Sequence, residues 1–386
     1  MADDHTELTL RLHPSIAEIP AGEWDACAGA DNPFVSHAFL LALEESGSAS
    51  ARTGWLPQHA ALRDGSGRLV AVAPAYAKSH SYGEYVFDHG WADAFQRAGG
   101  RYYPKLQVAS PFSPVPGPRL LTRGTLPALA LAGALAQATH QLGLSSCHVT
   151  FCTEAEWQAL GEAGWLQRLG TQFHWHNEGY TSFDDFLAAL SSRKRKQIRR
   201  ERRDAQSAGL TFRTLRGAEI TPSHWRAFHR CYMDTVDRKW GSAYLTERFW
   251  PLLSERLGER VVLMVAERDG EPVAGALNLV GKDTLYGRNW GALEQAPFLH
   301  FELCYYQAID FAIAHGLSRV EAGAQGEHKI QRGYLPAPTY SAHWIEHGGL
   351  RRAVAAFLEE ERPAIMEHMA ELSTFSPFRQ GDCQED

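Results

Sequence analysis

The sequence predicts an α+β fold built from two related domains in tandem. A phrase of two apolar runs around an Asp-Gly pair occurs twice, at residues 59–76 and 263–280. Each copy leads into an apolar helical pattern and then a Gly-Leu turn before a short apolar run, at Gly143-Leu144 and again at Gly316-Leu317. The length, 386 residues, suits two ordinary domains. Asp-Gly between apolar runs is a strong hairpin signal, and its recurrence with the same sequel marks a duplicated unit. The expected domains are 1–178 and 179–386, with the boundary near 175–182. A duplicated domain leaves a cleft between its copies, where ligands tend to bind.

In order along the chain, residues 20–27 and 37–46 read as helices, the second capped by Ser36. The first hairpin spans 58–78. An aromatic stretch rich in Gly and Pro follows, from Ser79 to Pro118, without a regular pattern. It makes the first copy longer: Gly65 to Gly143 is 78 positions, whereas Gly270 to Gly316 is 46. Irregular stretches of that size inside a domain are often functional. Helices are expected at 126–141 and 154–163, and a strand at 173–177. Ser182 with Asp185 forms a capping box. It opens a helix that buries Phe183, Phe186, Leu187 and Leu190 and runs on into a basic segment. A helix at 225–236 precedes the second hairpin, which a strand at 284–290 extends. A helix at 298–315, a strand at 319–323, a polar loop, a strand at 336–345 and a helix at 351–372 complete the chain.

Composition narrows the function classes. Hydrophobic residues make up 44% and charged residues 22%, which is globular. No apolar stretch is long enough to span a membrane. The acidic N-terminus lacks the basic and apolar regions of a signal peptide. Cys27, Cys147, Cys152, Cys231, Cys304 and Cys383 lie far apart, mostly in apolar segments. This pattern fits reduced thiols in a cytoplasmic protein.

Three constellations carry chemistry. Residues 193–203 hold eight basic side chains and one acid, a local +7 in a chain of net charge −7, so the remainder carries −14. Arg193, Lys196 and Arg200 share a helix face, and this density against an acidic background points to an anionic ligand such as the phosphates of a donor. DNA is not expected, since the rest of the chain would repel it; a tRNA contact stays open. The second constellation, residues 321–334, sets Glu321, Gln325, Glu327, His328, Lys329 and Arg332 among glycines after a strand. Glu327 or His328 suits a general base, and Lys329 or Arg332 suits an oxyanion or phosphate. In the third, Arg288 and Trp290 share one strand face. His174 and His176 lack a third partner at metal-ligand spacing, so no metal is expected.

Four segments together resemble the bacterial FemAB-like family of peptidoglycan biosynthesis/recognition, a branch of the GCN5-related N-acetyltransferase (GNAT) superfamily. They are residues 80–91 (His80-Ser-Tyr-Gly-Glu-Tyr-Val-Phe-Asp-His-Gly-Trp91), 103–107, 192–202 and 321–329. The resemblance implies two tandem GNAT-like domains with mixed central sheets, and the Gly-rich polar loop that only the second copy has places the chemistry in the second. It implies an acyltransferase that moves an acyl or aminoacyl group from acyl-CoA or aminoacyl-tRNA, as co-substrate, to an amine acceptor such as a glycan precursor of the cell envelope. No covalently held cofactor is expected. The Fem transferases carry a lysine before a Gly-aromatic pair; Lys329 and Gly333-Tyr334 are similar, with altered spacing. In place of the superfamily's Gly-rich pyrophosphate motif the chain has Asn289-Trp-Gly-Ala-Leu-Glu-Gln-Ala-Pro297, which weighs against ordinary acetyl-CoA. The resulting expectation puts Glu327, His328 and Lys329 at the reacting centre. Arg193, Lys196, Arg200, Arg288 and Arg332 would hold the donor or its phosphates. Tyr82, Glu84, Asp88, His89 and Trp91, with Trp290 and Gln325, would hold substrate, and backbone amides at 286–290 would polarise the carbonyl. The rival reading is a non-catalytic module that binds a nucleotide-linked glycan precursor.

Overall fold

Fifteen strands form among the described residues, which are 7–123, 128–238, 241–323 and 326–379 of a computed structural model. The first eight are β1 (Thr9–His13), β2 (Trp55–Pro57), β3 (His59–Arg63), β4 (Leu69–Ala73), β5 (Ala75–Lys78), β6 (Lys105–Val108), β7 (Leu121–Thr122) and β8 (Ser146–Cys152). Then come β9 (Leu166–His176), β10 (Thr211–Arg216), β11 (Val261–Arg268), β12 (Glu271–Val280), β13 (Thr284–Ala292), β14 (Arg319–Glu321) and β15 (Leu335–Ile345). The chain divides into two compact units. One is Met1–Gly170 with Tyr244–Arg256 and Pro338–Met366; the other is Thr171–Ala243 with Leu257–Ala337 and Glu367–Asp386.

The repeated phrase gives both units the same strand order. In the second unit β10, β11, β12 and β13 pair antiparallel in sequence, β13 pairs parallel with β14, and β9 closes antiparallel on β14. In the first unit the hairpin bends at Pro74, so that β3–β4 continues as β2–β5, with Gln58 N–H donating to the Ala75 carbonyl at 2.8 Å. Around it β1 pairs with β3, β6 with β5, β8 parallel with β6, and β15 antiparallel with β8. A parallel pair needs a crossover. It runs through the helix Ala128–Gln141 in one unit and the helix from Leu299 to Ala314 in the other. Each crossover helix covers an apolar sheet face. Leu131 and Leu135 pack with Leu106, Val108, Cys147 and Val149; Leu303 and Ile309 pack with Leu285 and Val320. The α+β class with mixed sheets is therefore as expected.

Three local expectations need correction. The stretch after the first hairpin is not irregular throughout, because it holds the helix His89–Arg97 and β6. The helix that begins after Ser182 does not run into the basic segment. It ends at Ala189, Leu190 is extended and bridges to Phe378, and a separate helix spans Ser192–Gln206. The polar loop after Gly323 contains a 3-10 helix, Glu327–Arg332. No helix among the described residues is long and apolar enough to cross a membrane.

Candidate active site

In the second unit, β13 and β14 run together only as far as Tyr286 opposite Glu321. Beyond that point β13 continues, while β14 ends at Glu321 and the chain turns through Gly323 at φ 80°. Gly287 lies at the parting, where a Cβ would come within 3.2 Å of the Glu321 carbonyl oxygen. On its other edge β13 carries a bulge. Ala276 pairs with Trp290 and Asn278 with Gly287, so Arg288 and Asn289 together face Leu277. Between the parted strands lies a cavity of about 100 Å³ lined by residues 287–290, Ala322 and, from the crossover helix, His300, Cys304 and Tyr305. The five residues Glu302–Tyr306 of that helix are π-helical, a geometry frequent at functional sites.

Behind the cavity is the Glu327–Arg332 turn, flanked by Gly326 at φ 115° and Gly333 at φ 87°. His328 Nε2 lies 2.9 Å from the Tyr305 hydroxyl. Burial, then the charges of Arg332 and Lys329, lower the His328 pKa, so the imidazole is neutral at pH 7 and able to accept a proton. Burial raises the Tyr305 phenol, which therefore stays protonated. Lys329 is 2% exposed, and its ammonium donates to the Gly323 carbonyl at 2.8 Å. Burial pushes it down to about 8. Glu327 and His328 both sit at exposed positions on this turn. Gln325 lies outside the described residues. Arg288 and Trp290 line the cavity, the Trp290 ring edge-on to His300 at 5.1 Å.

The basic segment splits by face. Ile198, Glu201 and Ala205 are buried, whereas Arg193, Lys196 and Arg200 are exposed. Arg200 pairs with Asp204 at 3.4 Å. Arg193 and Lys196 have no ion-pair partner among the described residues. Arg332 is not on this surface. It is buried, and its Nη2 donates to both oxygens of Glu201 at 3.1 and 2.9 Å.

The expected substrate residues of the first unit do not form one surface. Tyr82 and His89 are exposed, and Trp91 is buried edge-on to His343. Glu84 and Asp88 are buried against two lysines that no motif announced. Lys78 and Lys105 are register partners on β5 and β6, so like charges face each other on a buried sheet surface. The loop after β5 answers them. Lys105 Nζ donates to Glu84 at 2.7 Å, to Ser81 at 2.8 Å and to Asp88. Burial pushes Lys78 down to about 7 and Glu84 up to about 7. The first unit also buries Arg119. That side chain is fully buried beside β8, with Nε donating to the Thr150 carbonyl at 2.9 Å and both Nη atoms to carbonyls of residues 115–118. Among the described residues no group of three or more His, Cys, Asp or Glu side chains is placed to hold a metal ion.

The sequence reasoning missed Tyr305, Glu201, Lys78 and Lys105. Tyr305 sits in an aromatic helix that reads as core. Glu201 hides among cations, and the two lysines become neighbours only through strand register.

Solved structures share this fold. FemX is similar with a TM-score of 0.55 at 10% identity, over 90% of this chain and 100% of that one. The C-terminal domain of a putative lysylphosphatidylglycerol synthetase from Agrobacterium fabrum is similar with a TM-score of 0.54 at 12% identity, over 90% of this chain and 97% of that one. L-PGS from Bacillus licheniformis has a TM-score of 0.52 at 10% identity, over 91% of this chain and 98% of that one. Identities this low speak for the fold alone. No curated protein matches the sequence. A family model does, across residues 15–380. The chain belongs to the FemAB-like family, described as peptidoglycan biosynthesis/recognition.

Proposed function

We propose that this protein is an N-acyltransferase of cell-envelope biosynthesis. It transfers an acyl or aminoacyl group from an activated donor, an acyl-CoA thioester or an aminoacyl-tRNA ester, to the amine of a peptidoglycan-type precursor. Family membership supports the envelope and the transferase class. The observation that carries the reaction centre is the cavity between the parted strands, whose wall residue Tyr305 meets His328 Nε2 at 2.9 Å.

In this reading the neutral amine attacks the donor carbonyl, the C–N bond forms, and the C–S or C–O bond to the donor breaks. The nitrogen must lose a proton. Tyr305 passes it to His328, which returns it to the leaving thiolate or alkoxide. Backbone amides of the β13 bulge are candidates to stabilise the oxyanion, the kind of contact that is worth most away from water. Arg193, Lys196 and Arg200 offer an exposed anion surface for the donor's phosphates, with Arg288 at the cavity. The five free cysteines among the described residues, all unpaired thiols, agree with action in the cytoplasm.

The test begins with a thermal-shift screen of CoA, acyl-CoAs, UDP-sugars and charged tRNA, followed by a turnover assay with the donor that binds. His328→Gln is expected to lower kcat by roughly 100-fold or more with little change in KM. Glu327→Gln is expected to stay near wild type, as it is His328 that meets the hydroxyl of the cavity residue Tyr305. Ligand binding without release of CoA or tRNA would instead identify a recognition module.

A further inference from the structure

Glu201 is the single acid within residues 193–203, and it is buried to 4% exposure. It faces the site turn. Besides the two bonds from Arg332, it accepts from Gln197 at 2.9 Å and from the Tyr306 hydroxyl. Arg332 reaches onward: its Nη1 donates to the His328 carbonyl at 2.8 Å, and its guanidinium lies 3.4 Å from the centroid of Phe301. A continuous chain thus runs from the basic helix through Glu201 and Arg332 to the backbone of His328.

We propose that Glu201 is a positioning residue for the reaction centre: through Arg332 it holds the His328 turn and balances the guanidinium charge that His328 faces. The role given to His328 rests on the function proposed above; the coupling between Glu201 and His328 does not. A buried arginine without a counter-ion is strongly unfavourable, and its fork needs a carboxylate to fix two N–H directions at once. Glu201 supplies both the charge and the direction. The other groups around His328 are Glu327, Lys329 and Arg332 on its own turn and Tyr305 and His300 on the crossover helix, the His300 ring 6.2 Å away. Glu327 is exposed, so Glu201 is the buried acid linked to His328, through Arg332 and the His328 carbonyl.

The experiment is an NMR pH titration of the His328 imidazole in the full chain, assigned by comparison with His328→Gln. In Glu201→Gln the midpoint is expected to fall by roughly half to one pH unit, the size of effect expected from one unmatched nearby charge. In Glu201→Asp, which keeps the charge, it is expected to recover in part. Arg332→Gln removes the guanidinium and is expected to raise the midpoint; it serves as the test if Glu201→Gln does not fold. An unchanged midpoint in folded Glu201→Gln, or in folded Arg332→Gln, overturns the proposal. The readout needs no substrate. A shifted midpoint with turnover indifferent to His328 would uphold the coupling and remove His328 as the base.

Discussion

Lys329 is where burial and charge oppose each other most sharply. Its amine is nearly fully buried, bonded to one carbonyl, and pushed down to about 8. A lysine whose folded pKa is depressed contributes stability above its unfolded value, near 10.4, and loses that contribution as pH falls through the folded value. At pH 7 the side chain therefore works against folding. Lys329→Met is expected to equal or exceed wild type in urea-unfolding free energy at pH 7, by about 1–3 kcal/mol. The advantage should shrink at pH 10. Turnover is expected to drop in the same variant, since the ammonium beside the cavity is lost. A wild-type advantage in stability at pH 7 would mean that the Gly323 contact outweighs the cost of burial.

At the scale of elements, the shape of the site depends on how closely the helix Pro222–Arg238 approaches β13. Gly291 follows the bulge, and a Cβ there would overlap the backbone carbonyl of Cys231 in that helix. A backbone cannot swing aside as a side chain can. Gly291→Ala is expected to cost about 3 kcal/mol or more and to lower Tm by roughly 5 °C or more. At Gly275 the nearest atoms belong to the Phe228 ring, which can rotate, so Gly275→Ala is expected to cost less. Thermal unfolding of the two variants side by side checks the contrast. Hairpins, crossover helices and caps were legible because each rests on local signals: Asp-Gly turns, 3.6-residue periodicity, and Ser36 and Ser182 as side-chain caps. The break at Leu190 was not, because its cause is distant. Pro377 accepts from Ser191 N–H and Phe378 bridges Leu190, both from the far end of the chain. β6 was hidden for a related reason: four residues between Pro104 and Ala109 carry too little period to stand out, and only β5 and β8 on either side make them a strand.

At the scale of the whole molecule, the duplication was the most legible feature, and the site the least. Residues 321–334 drew attention through their glycines, and His328 there meets the cavity residue Tyr305. Tyr305 and Glu201 reach the same centre from helices whose sequences read as core and as solvated surface. The two units also answer one question differently. Leu106 opposite Cys147 and Leu285 opposite Val320 are matching core pairs. Counting on from each makes Thr150 the counterpart of Gly323, and both carbonyls receive a buried cation: Arg119 in the first unit, Lys329 in the second. Arg119→Lys is expected to lower Tm, because its fork of carbonyl bonds cannot be rebuilt, while kcat and KM at the second unit stay at wild-type values. Arginine cannot give up its proton under any condition the cell meets, whereas a lysine near 8 can. Duplication thus left one copy of a socket permanently plugged and the other fitted with a part that can change state.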